Sequence, residues 1–100
     1  MSAKIKGTTS SGFKFAIDAN VCKDWRFLKA TRKANSGNEE EAFDGSLEMV
    51  ALIFNDQAEE ERFYSFLAEK NDGRVPADVV GKEVGEIMKT VREKNKEAKN

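Results

Sequence analysis

Eight consecutive residues, Leu47-Glu48-Met49-Val50-Ala51-Leu52-Ile53-Phe54, contain a single polar side chain, and this run limits what the chain can become. It is far shorter than the ~18 apolar residues a membrane span needs, so protein has to bury it. Wound as a helix, it points apolar groups nearly all round its axis and must be surrounded by its own domain, by another chain, or by both. A run of this length is also compatible with a buried strand. Helix is preferred because Leu, Met and Ala outnumber the β-branched pair Val50 and Ile53, and because Asp44 or Ser46 stands upstream as a cap.

Downstream of the run the chain is strongly patterned. Asp56-Gln57-Ala58-Glu59 has the form of a capping box, and Glu60 and Glu61 suit the positive end of a helix dipole. Phe63, Phe66 and Leu67 form an inward stripe with Tyr64 on its shoulder. Asn71-Asp72-Gly73 reads as a left-handed stop after Lys70. Pro76 suits the first turn of a last helix, whose Val80, Val84, Ile87, Met88 and Val91 keep one stripe to about Arg92. Gly81 and Gly85 weaken that helix by about 1 kcal/mol each relative to Ala, unless they admit close helix contact.

Upstream, Phe13-Lys14-Phe15-Ala16-Ile17 alternates with the two-residue period of a half-buried strand closed by Asp18, with Lys4 to Thr9 available to pair with it. A helix is expected from Asn20 to about Ala34, capped by Asn20 or Asp18, with Val21, Trp25 and Leu28 as its buried stripe and Trp25 as its anchor. Residues 35–45, with Glu39-Glu40-Glu41, read as the longest linker. The expected fold is therefore mainly α, a small bundle of about four helices with a short N-terminal strand or hairpin arm. Residues 13–92 make the single domain, preceded by a flexible arm over 1–12 and followed by a frayed charged tail over 93–100.

Composition removes whole classes of function. The chain has one cysteine, Cys22, and no histidine, which excludes intrachain disulfides, Cys/His zinc sites and every catalytic arrangement built on imidazole. Glu39-Glu40-Glu41 and Glu59-Glu60-Glu61 are consecutive, so their side chains diverge instead of pairing for acid–base work. No Gly-rich phosphate loop is present, and Asp72-Gly73-Arg74 lacks the further oxygen ligands of a calcium loop. With 17 basic against 18 acidic residues the net charge is -1, which gives no long-range field for nucleic acid or anionic lipid. The reading is a non-enzymatic, cofactor-free and metal-free cytoplasmic protein that binds other proteins, with self-association into a homo-oligomer left open.

The candidate contact residues are those that the stripes leave over. Lys23, Arg26, Lys29 and Lys33 fall within about 120° of one another on the first helix and form a basic face, offset only by Asp24. Phe27 lies off the Val21, Trp25, Leu28 stripe, and Leu52 sits on the all-round apolar run; both are candidate client contacts. Phe13 and Phe15 share one strand face, either as core or beside an edge that adds a partner's strand.

Taken in order, Phe13 to Asp18, Asp24-Trp25-Arg26-Phe27-Leu28, Ala51-Leu52-Ile53-Phe54, Phe63-Tyr64-Ser65-Phe66-Leu67, Asn71-Asp72-Gly73-Arg74-Val75-Pro76 and Val84-Gly85-Glu86-Ile87 resemble the tail assembly chaperones of long-tailed bacteriophages and prophages. The resemblance covers residues 13–92; Asn55-Asp56 stand where many members carry Gly after the apolar run. It implies a small helical protein, without catalytic residues, that binds the hydrophobic tape measure protein and helps recruit tail tube subunits in the host bacterial cytoplasm. The competing readings from the residues alone are a small helical adaptor of the antitoxin kind and, third, a weak DNA-binding bundle using the Lys23 to Lys33 face.

Overall fold

A computed structural model describes residues 4–99, with side chains to residue 95. Strands β1 (Lys4–Thr8) and β2 (Lys14–Asp18) form an antiparallel hairpin in which Lys4 faces Asp18 and Thr8 faces Lys14. A single 3₁₀ turn (Val21–Lys23) leads into helices α1 (Trp25–Ala34), α2 (Glu39–Phe54), α3 (Gln57–Lys70) and α4 (Ala77–Lys99). The molecule is thus mainly helical with an N-terminal hairpin, as the periodicities predict.

The hairpin belongs to the body. Alternation puts Phe13, Phe15 and Ile17 inside, each less than 5% exposed. Gly7 lies opposite Phe15, and a Cβ there would come within 2.6 Å of the buried Phe15 ring, which would have to shift. The turn after β1 closes through the Thr9 amide donating to the Phe13 carbonyl at 2.9 Å, with Gly12 at φ +102. That turn is tied to α4. The Thr9 and Ser11 hydroxyls donate to Oε1 of buried Glu83 at 2.7 and 2.8 Å, and the Ser10 amide and hydroxyl donate to the Glu86 carboxylate, both at 2.8 Å. Sequence composition suggests a flexible arm over residues 1–12, but from residue 4 onward it is a paired strand and a clasped turn; residues 1–3 lie outside the described residues. Alternation in β1 is weak because Ile5 is its only large apolar group, so its order comes from pairing and from the clasp.

The helix boundaries show where local chemistry decided. α3 starts as expected, with Asp56 Oδ1 accepting from the amides of Ala58 at 2.8 Å and Glu59 at 3.4 Å. Its Glu59 carboxylate turns to Arg62 instead of closing a capping box. Asp72 (φ 56) and Gly73 (φ 84) end it, with the Gly73 amide donating to the Ala68 carbonyl at 2.7 Å. α2 begins eight residues before the apolar run, because Asn38 caps it by accepting from the Glu41 amide at 2.9 Å and Glu39 to Glu41 occupy its positive end. Most of the expected linker is therefore helix, and Asn38 caps it in place of Asp44 or Ser46. α4 continues to Lys99 instead of fraying after Arg92, and Asn95 Nδ2 donates to the Ala19 carbonyl at 2.9 Å.

α1 departs furthest from expectation. Its continuous helix from Asn20 is broken, since Asp24 is extended (φ -71, ψ 127) and serves as the N-cap. Val21 is consequently out of phase with Trp25, which is 73% exposed, and Leu28 is 47% exposed. The inward side of α1 is set instead by Phe27 and Ala30. Gly45 of α2 fits against that side: a Cβ there would lie 2.4 Å from the Ala34 amide nitrogen and 2.7 Å from the Ala30 carbonyl oxygen. Beneath, Phe13 meets Phe63, Phe66 and Phe54 with ring centroids at 5.1, 5.3 and 6.1 Å, edge-on to Phe63 and Phe54 and tilted to Phe66, a cluster that joins the hairpin to α2 and α3.

Candidate functional site

The tight α1–α2 seam and the more distant α4 leave a groove of about 400 Å³ between them. Phe27 and Ala34 of α1, Met49 and Val50 of α2, and Val80, Val84 and Met88 of α4 supply its apolar surface. Gly81 and Gly85 stand on the α4 wall, and a Cβ added at either would meet nothing within 4 Å. They do not bring two helices of this chain together; they leave the groove wide.

The polar side chains in the groove are mostly occupied by their own helices. Thr31 Oγ1 donates to the Phe27 carbonyl at 2.9 Å, Ser46 Oγ to the Ala42 carbonyl at 3.0 Å, and Asn35 Nδ2 to the Thr31 carbonyl at 3.0 Å. Arg92 differs, since it makes no hydrogen bond or ion pair with the described residues and is exposed at the groove's edge. Burial pushes the nearby Cys22 thiol up, and the Arg92 charge opposes that shift. The groove therefore offers aliphatic and aromatic surface and one cation, a chemistry of binding. Outside it, Trp25 and Leu28 neighbour each other on α1, and Phe43 (58% exposed) and Leu47 (48%) lie one turn apart on α2.

Of the residues that sequence reasoning proposed for contact, only Phe27 lines this groove, and it does so from the buried side at 5% exposure, not as an exposed aromatic. Phe13 and Phe15 are core residues. Leu52 is half-buried on another face, beside Asp24 and Arg26. The basic face does not assemble as expected. Lys23 belongs to the 3₁₀ turn, Arg26 pairs with Asp24 at 2.8 Å, and Lys33 pairs with Glu48 across the α1–α2 seam, leaving Lys23 and Lys29 exposed. The Asp24 carboxyl is held down to about 2, first by the side-chain bond from Arg26 and then by the Arg26 amide. The Glu48 bond and charge raise the Lys33 ammonium.

Sequence reasoning missed Met49, Arg92 and the paired glycines as groove residues. A signal was present in Gly81 and Gly85, two helix-weakening residues four apart beside an apolar stripe, but one helix does not reveal what faces it. Among the described residues no helix is long and apolar enough to cross a membrane, and no cluster of His, Cys, Asp and Glu could hold a metal ion. Compared with protein-family models, curated proteins and solved structures, the chain matches none of them.

Proposed function

We propose that this protein is a tail assembly chaperone of the long-tailed phage type, which shelters apolar helical segments of the tape measure protein and helps recruit tail tube subunits. The observation that carries the reading is the open apolar groove walled by Gly81 and Gly85, in a molecule that also leaves Trp25, Leu28, Phe43 and Leu47 exposed. A chain of this size gains stability by covering such groups; leaving them in water suits a protein that covers another. The motif order from Phe13 to Arg92 supplies the identity of the client. Against a nucleic-acid partner, two of the four cations on the supposed basic face are paired with carboxylates, and the net charge is -1.

Co-expression with the tape measure protein of the same tail gene cluster tests this. The expected result is a soluble complex that survives size exclusion, with the tape measure protein aggregating when expressed alone. A tape measure protein that is equally soluble without this chain, and does not copurify with it, refutes the reading.

A further inference from the structure

We infer that the groove between the α1–α2 hairpin and α4 takes an α-helical segment with an apolar stripe and an acidic C-terminal end, docked so that its carboxylate meets Arg92. This rests on the chaperone reading for the identity of the client, but the chemistry of the occupant is set by the groove itself. An extended segment would bring its outward carbonyls against Thr31, Ser46 and Asn35, whose donors are already turned onto their own helices. A helix carries its backbone hydrogen bonds with it, so only its side chains need partners.

The lining residues of α4 run from Val80 to Arg92, about 18 Å of helix and room for roughly three turns of an occupant. Gly81 and Gly85, with open space above them, let that occupant approach the α4 backbone. The one charged lining group is the Arg92 guanidinium, which has no acceptor among the described residues. It lies at the end where Cys22 feels its charge and Asn95 reaches Ala19. A helix C-terminus presents free carbonyls and the negative end of its dipole, and a carboxylate there completes the pair. The occupant therefore runs in the same direction as α4.

The test uses the full-length protein and two fluorescent peptides of about 16 residues, long enough to be helical. Both carry the same Leu/Ala stripe; one ends in Glu-Glu with a free carboxylate, its twin in Gln-Gln-amide. The expected result is that the acidic peptide binds about five- to tenfold more tightly than its twin, and that Arg92→Gln removes this difference. Gly85→Leu, filling the groove, weakens both peptides at least about tenfold. Gly81→Leu repeats that test at the other end, should Gly85→Leu lose its fold by circular dichroism. No binding of either peptide overturns the inference, as does equal binding of the twins, or full binding by both folded leucine variants.

Failure of the groove and failure of the chaperone reading are separable. Capture of the tape measure protein by Gly81→Leu and Gly85→Leu at wild-type level removes the groove and keeps the chaperone. Acid-ended helix binding without tape measure capture keeps the groove and removes the chaperone.

Discussion

Gly45 and the pair Gly81 and Gly85 all sit inside helices, yet they serve opposite ends. At Gly45 the missing side chain lets α1 and α2 approach until a Cβ would collide with backbone atoms of Ala30 and Ala34. At Gly81 and Gly85 the missing side chain faces open space, and among the described residues no helix uses the room. The first glycine offsets its poor helix propensity by close packing; the other two weaken α4 with no return inside the molecule. That contrast separates a closed seam, where two helix backbones nearly touch, from an open wall with room above it.

The contrast can be broken experimentally, beginning at the seam. Gly45→Leu forces the hairpin apart and is expected to lower stability by about 3 kcal/mol or more, measured by urea unfolding. An unchanged unfolding midpoint would mean that α1 and α2 are not closely packed. Thr9→Val tests how firmly the β-hairpin turn is held to α4. It leaves the buried Glu83 carboxylate with one donor fewer and is expected to cost about 1–3 kcal/mol. The open wall predicts the reverse sign. Gly81→Ala and Gly85→Ala should each raise stability by about 0.5–1 kcal/mol, visible as a higher thermal midpoint, and loss of stability at either would show that the wall is closed in solution.

The smallest effect is a pH dependence at two exposed ends. The Asp24 carboxyl, held to about 2 against an ordinary 3.8, is lowered by folding, so what it adds to the α1 N-terminus is complete above 3.8 and lost as pH falls toward 2. Glu86 is likewise lowered from its ordinary 4.5, by the Ser10 amide and then its hydroxyl, so its hold on the turn also weakens on acidification. Protection of the Arg26 and Ser10 amides, corrected for intrinsic exchange, should therefore fall below about pH 4 before that of Phe63, and simultaneous loss at all three would show that neither contact opens locally.

The parts of the fold visible in sequence were those encoded within a few residues. Asp56 and its free amides mark the start of α3, the Phe13, Phe15, Ile17 alternation marks β2, and Val84, Ile87, Met88 and Val91 mark the buried side of α4. Errors arose where one local choice changes the phase of everything after it. The extended Asp24 resets the helix that sequence spacing carries from Val21 to Trp25, exchanging the roles of Trp25 and Phe27. Asn38 likewise captures residues 39–46 for α2, so the apolar run is the second half of a longer helix with Leu47 and Ala51 exposed, instead of a core helix wrapped on every side.

Sequence alone determined the helical class, the N-terminal hairpin, the stop at Asp72-Gly73 and the absence of imidazole chemistry, because caps, turns and side-chain periods act over a single turn or strand. Which apolar groups would be covered was a tertiary decision. The approach of α1 to α2 at Gly45 and the clasp of Glu83 and Glu86 on the hairpin turn set the helix spacing, and that spacing left α4 apart, its glycines facing a groove and Arg92 without a partner among the described residues. Distances between helices depend on contacts made far apart in the chain, and no local pattern in any one helix records them.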